Sequence, residues 1–123
     1  MFHITVRRGT LLDIEEWIKL VVKVSPLFPG LETCEAIAEH KNTVLEFMGR
    51  GEALCVKDGV KVVGVLLYSR KHNMLCCLAV DSDYRKLGIA SALILEALRN
   101  LDRSRNITAT SQNYYLVVLF ASP

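Results

Sequence analysis

The stretch from Glu52 to Ser69 constrains the fold more than any other part of this 123-residue chain. Two apolar arms flank Asp58-Gly59, a pair that supplies the positive φ angles a two-residue hairpin turn needs. The second arm, Val60-Lys61-Val62-Val63-Gly64-Val65-Leu66-Leu67-Tyr68, is apolar at both parities from Val62 onward. Side chains alternate between the two faces of a strand, so both faces of this one must be covered. The class that follows is α/β (α+β), a sheet with helices on both faces.

The flanking segments supply those helices. Phe2 to Arg8 alternates and is β-branched, which predicts a first strand ending at Gly9. Thr10-Leu11-Leu12-Asp13 reads as a helix start with an acidic residue three positions after the cap. Leu11, Ile14, Trp17, Ile18, Val21 and Val24 then recur at helical spacing, with Asp13, Glu16, Lys19 and Lys23 on the wet face and Glu15 able to pair with Lys19. Ser25-Pro26 stops this helix. A second helix is predicted from about Thr33 to Met48, wet along Glu35, Glu39, Asn42 and Glu46, and ended by Gly49 or Gly51. A strand from Asn73 to Val80 follows, then a helix to about Leu101 with so few polar residues that most of its circumference should be packed. Ile107 to Thr110 is a last short strand.

Between Val80 and that last helix lies Arg85-x-x-Gly88-x-Ala90. Gly88 has no Cβ, so its backbone can come close to a ligand, and Ala90 is nearly as small. The first amides of a helix lack intrahelical acceptors and carry the positive end of its dipole. Donors converging in this way suit a pyrophosphate, and Arg85 and Lys86 add charge at the rim. An ordinary tight strand-to-helix connection is the competing account of the same residues.

Arg85, Gly88 and Ala90 fill the three defined positions of the Gln/Arg-x-x-Gly-x-Gly/Ala motif, and Leu78-x-Val80 matches the strand end before it. The run resembles the cofactor motif of the GNAT superfamily of acetyl-CoA-dependent N-acetyltransferases. Gly64 in the valine-rich arm also looks like that family, and the order strand, helix, helix, three strands, helix, strand is the family's order. The resemblance implies a GNAT-like mixed, mostly antiparallel sheet in one domain spanning residues 1–123, with acetyl-CoA as cosubstrate and an amine-bearing small molecule or protein as acceptor. It further implies that the backbones of Leu78 and Val80 face the pantetheine arm, and that the turn Arg85, Lys86, Leu87, Gly88, Ile89, Ala90, Ser91 holds the pyrophosphate. The segment 111–123 departs from the family: it has no Asn/Ala/Tyr helix pattern and reads as atypical or truncated.

The catalytic groups are open. An amine must be positioned, lose a proton and displace a thiolate. His72 opens the strand before the motif and is a candidate base, although a lone turn histidine is commonly a surface residue. Tyr114 and Tyr115 are candidate acids without the family's spacing. Asp81 and Asp83 read as a solvated turn, Glu35 and Glu39 as a wet helix face that could recognise a cationic acceptor, and Cys76 or Cys77 as an acyl-carrying nucleophile only if not inert. Neighbours on one strand, Cys76 and Cys77 should point to opposite faces. The four cysteines lack zinc-ligand spacing and read as buried, reduced thiols of a cytoplasmic protein, with no metal site.

A net charge of +2 with scattered lysines and arginines gives no footing for a nucleic-acid partner. No apolar run approaches the roughly 20 residues of a membrane span. An apolar segment from Tyr114 to Phe120 predicts pairing at a sheet edge, within one chain or as a homodimer. Two alternatives to catalysis remain: a non-catalytic coenzyme A binding or interaction module, and an unrelated nucleotide-phosphate binder, against which the absence of GxxxxGK[ST] and GxGxxG counts.

Overall fold

The computed structural model describes residues 2–27, 31 and 33–109. Strand β1 (Val6–Arg8) leads through a 3-10 turn into α1 (Ile14–Val24), followed by α2 (Cys34–Gly49). Strands β2 (Ala53–Asp58), β3 (Lys61–Ser69) and β4 (Met74–Val80) come next, then α3 (Ile89–Arg99) and β5 (Thr108–Ala109). The sheet runs β1-β2-β3-β4-β5, antiparallel except for β5, which lies parallel to β4.

The valine-rich arm behaves as its composition requires. Every residue of β3 from Val62 to Ser69 is buried. Val62, Val65 and Leu67 join Trp17, Leu20 and Val44 in a cluster under α1 and α2, whereas Val63, Leu66 and Tyr68 join Ile89, Leu93 and Ala97 under α3. Gly64 sets how closely α3 approaches. A Cβ there would lie 2.5 Å from Ile89 Cγ2 and 3.2 Å from Leu93 Cδ1.

Several expectations shift. The first strand shortens to Val6–Arg8, which pairs with Leu54 to Val56 of β2, while Phe2 and Ile4 pack beside the α3 cluster. The hairpin turn sits one residue later than expected. Asp58 pairs with Lys61, so Gly59 and Val60 are central, with Gly59 at φ +63° as in a type II′ turn. Thr10 and Asp13 do form a reciprocal start, since the Thr10 N–H donates to Asp13 Oδ2 at 3.0 Å and the Asp13 N–H to Thr10 O at 2.8 Å. Asp13 is nevertheless buried rather than wet, and Lys57 bonds it at 2.8 Å. Leu11 lies outward at 67% exposure, because the 3-10 turn over Leu11–Asp13 changes the phase of the apolar stripe. Lys19 pairs with Glu16, not Glu15. In α3 only Ile89, Leu93 and Ala97 are fully buried, and Leu95 is exposed, because only one face of this helix meets the sheet.

Cys76 and Cys77 do not point to opposite faces. Leu67 pairs with Cys77 and Tyr68 with Leu75, which leaves Cys76 as the extra residue of a β-bulge. Both cysteines therefore pack with the α1/α2 cluster, while Leu75 and Leu78 take the other face. Cys34 at the start of α2 is exposed, unlike the other three.

Candidate functional site

The turn after β4 is built first by its backbone. Asp81 N–H donates to Val63 O at 2.8 Å, extending the β3–β4 ladder by one residue. In an antiparallel pair the bonded residues alternate, so the backbone groups of Ala79 and Asp81 turn toward β3 and those of Leu78 and Val80 toward the opposite edge. On that edge β5 pairs only with Met74 and Leu75. Beyond the bulge at Cys76, the outward backbone groups of Leu78 and Val80 have no strand beside them among the described residues. Their side chains are buried against α3.

Gly88 caps α3 at φ +90° and ψ 11°, a left-handed conformation that an L-residue adopts only under strain. Lys86, two residues earlier, is also left-handed at φ +65°. Together they curl the chain so that it enters the helix with its amides leading. The first bond that closes the helix is Ala92 N–H to Gly88 O at 3.0 Å, so the amides of Ile89, Ala90 and Ser91 precede it. Among the described residues, a Cβ on Gly88 would meet only Ile4 Cδ1, at 3.9 Å. The Ile89 side chain is buried beneath Gly64, whereas Lys86, Leu87 and Ser91 face outward and Ala90 is half-buried. Arg85 is half-buried, and its Nε and Nη2 are shielded from solvent with no acceptor among the described residues. Buried guanidinium donors rarely lack a partner.

Sequence reasoning missed the device that holds the turn. Asp81 is 1% exposed, not solvated. Lys23, placed on the wet face of α1 by its spacing, donates from Nζ to Asp81 Oδ1 at 2.7 Å and Asp83 Oδ2 at 2.8 Å. Lys61 Nζ lies 3.5 Å from Asp81 Oδ2, and the Asp83 N–H donates to Asp81 Oδ1 at 2.9 Å. Burial on its own would raise the Asp81 pKa; the Lys23 hydrogen bond and the other donors outweigh it and hold the carboxyl below its ordinary value. Tyr84 completes the anchorage, donating its hydroxyl to Asp58 Oδ2 at 2.6 Å and meeting the Phe2 ring edge-on. Nothing local marks Lys23, whose partners lie about half the chain away in sequence.

The remaining candidates scatter. His72 is exposed at the opposite end of β4, on the order of 20 Å from the turn at the usual strand rise. Its backbone N–H donates to Ser69 Oγ at 3.2 Å. Glu35 and Glu39 are exposed on α2. Burial pushes the thiols of Cys76 and Cys77 up to about 11 and about 12, which disfavours a nucleophilic thiolate at either position. Tyr114, Tyr115 and the edge segment to Phe120 lie outside the described residues. Among the described residues no group of three His, Cys, Asp or Glu side chains is placed to hold a metal, and no helix is long and apolar enough to cross a membrane.

A five-stranded, mostly antiparallel sheet with helices on both faces, and a left-handed glycine opening the helix after its fourth strand, define an α+β protein. A model of the acetyltransferase (GNAT) domain matches residues 30–122, and the chain belongs to that family. No curated protein sequence matches it. Among solved structures it is similar to the PaiA N-acetyltransferase of Thermoplasma acidophilum in complex with coenzyme A, with 16% identity over 98% of this chain and 87% of that one and a TM-score of 0.63. A GNAT-family acetyltransferase of Bacillus cereus shows 18% identity over 98% and 80%, with a TM-score of 0.67. A GCN5-related N-acetyltransferase of Kribbella flavida shows 19% identity and a TM-score of 0.63, and there the match takes 80% of this chain but only 26% of the other. At these identities the likeness is one of fold.

Proposed function

We propose that the chain transfers an acetyl group from acetyl-CoA to an amine by direct attack. The observation that carries this reading is the turn at Gly88: a left-handed helix cap and, among the described residues, open space before it and two shielded Arg85 donors without an acceptor. Those groups fit a pyrophosphate. The amides of Ile89, Ala90 and Ser91 would bind its oxygens, Arg85 would add charge-assisted bonds, and Lys86 would lie at the rim. The outward backbone groups of Leu78 and Val80 would hold the pantetheine arm along β4, and the thioester it carries supplies the acetyl group. Family membership and a neighbour solved with coenzyme A support the cosubstrate. Holding both reactants in line is the main service such a site gives to a direct transfer.

The reading also takes residues 1–123 as a single domain working in the cytoplasm. A homodimer joined through residues 114–120 rests on their sequence alone, and light scattering with and without residues 112–123 tests it. The function itself is tested by calorimetry and a thiol-release assay. Coenzyme A should bind the native chain and fail to bind a folded Gly88→Glu variant, whose carboxylate would repel the pyrophosphate. Unchanged affinity in that variant would refute the site. Binding without thiol release across a panel of amines would favour the non-catalytic module.

A further inference from the structure

At the other end of β4 a cleft of about 380 Å³ lies between the α2–β2 connection and the β3–β4 hairpin, lined by Arg50, Glu52, Ser69, Arg70, Lys71 and His72. Its floor is a carboxylate. Glu52 is 4% exposed and receives Arg50 Nε on Oε1 at 2.7 Å and the Arg70 N–H on Oε2 at 2.7 Å, with Arg70 Nε at 3.4 Å. Burial would raise its pKa, but the bonds from Arg50 and Arg70 outweigh that and hold it ionised, below the usual carboxylate range. Each guanidinium is fixed by a further contact. Arg70 Nη2 donates to Arg50 O at 2.6 Å, and the Arg50 guanidinium lies 4.4 Å above the Phe47 ring.

Neutralising one buried carboxylate takes one cation. Here two arginines share it and Lys71 stands on the same wall, so positive charge is left over where both arginine side chains are about half exposed. Because Glu52 binds the arginines through Nε and a main-chain N–H, further guanidinium N–H groups remain for a ligand. We infer that this cleft is an oxyanion site, separate from the Gly88 turn, that takes one carboxylate or phosphate group. The cleft wall joins β4 short of its bulge, since Ser69 in that wall pairs with Met74. On the acetyltransferase reading given above, which this clause alone depends on, the cleft selects acceptors that carry an acid group as well as an amine.

Two measurements on the full chain test the inference. Inorganic phosphate and acetate are titrated separately at constant ionic strength, following amide resonances by NMR. A saturable shift at Arg70, Lys71 and His72 is expected, stronger for phosphate if its added charge counts and equal if only the oxyanion geometry does. Lys71→Gln, which removes a charge without touching Glu52, should weaken binding about fivefold, the loss of one exposed charge contact. No saturable shift with either ion, or identical binding by Lys71→Gln, would overturn the site. Coenzyme A titrated into the same two proteins should shift Gly88 to Ser91 equally in both. Its failure to bind would count against the acetyltransferase reading while leaving the phosphate result to judge the cleft. Finally, 2-aminoethyl phosphate should be acetylated with a lower KM than 2-aminoethanol, and Lys71→Gln should raise only the former. Equal KM values would overturn the acceptor assignment.

Discussion

Gly88 carries its site through a single backbone angle. A methyl group there would meet little, but at φ +90° any L-residue is strained by about 1–2 kcal/mol. Gly88→Ala should therefore lower the thermal midpoint modestly and weaken coenzyme A binding, with both effects arising from conformation rather than collision. A Gly88→Ala protein with native stability would contradict the left-handed cap. Glu52 and Asp81 yield a second expectation. Both have folded-state pKa values below their ordinary 4.5 and 3.8, so the stability they contribute is complete above those values and lost as pH falls through the depressed ones. Urea midpoints should drop as pH falls below 4.5, with a shallower drop in Glu52→Gln. A midpoint independent of pH down to 3 would rule this out. At this scale the sequence was legible where chemistry is local: Gly88 and Ala90 could be read from their size and Arg85 from its spacing. Asp81 could not, because its burial depends on Lys23 and Lys61, which no neighbouring residue signals.

Among the elements, α3 approaches β3 tightly at Gly64. Gly64→Val would drive carbon into Ile89 and Leu93, and overpacking of this kind costs about 1–3 kcal/mol. Because Ile89 follows Gly88 directly, the variant should lose coenzyme A affinity along with stability. Gly9→Ala, which crowds Trp17 on the opposite face at 2.7 Å, should lose stability alone. Equal affinity in both folded variants would separate the turn from the packing of α3. The elements themselves were largely visible in advance, since long periodic segments such as α2 and β3 determine their own type. Their details were not. The bulge at Cys76 breaks the alternation of β4 without any glycine or proline to announce it, and β1 stops after pairing with Leu54, Cys55 and Val56 although β2 runs on to Asp58.

The whole molecule is organised by one sheet serving two apolar clusters, with Trp17, the only tryptophan, fully buried in the α1/α2 layer. Neither layer can lose its strands without stripping the other. Urea transitions followed by Trp17 fluorescence and by far-ultraviolet circular dichroism should therefore coincide. Separated transitions would indicate two independently stable layers and count against a single domain.

The tether between α1 and the turn after β4 bears on the order of assembly. Lys23 meets Asp81 across 58 intervening sequence steps, a long loop to close for two ionic bonds, and contacts of that separation form late in folding. The residues that would grip the cosubstrate are nearly contiguous, yet their anchorage depends on a helix made much earlier in the chain. A chain that has formed its hairpin but not docked its first helix would hold the motif without the grip, and ligand would select for the chains in which that docking is complete.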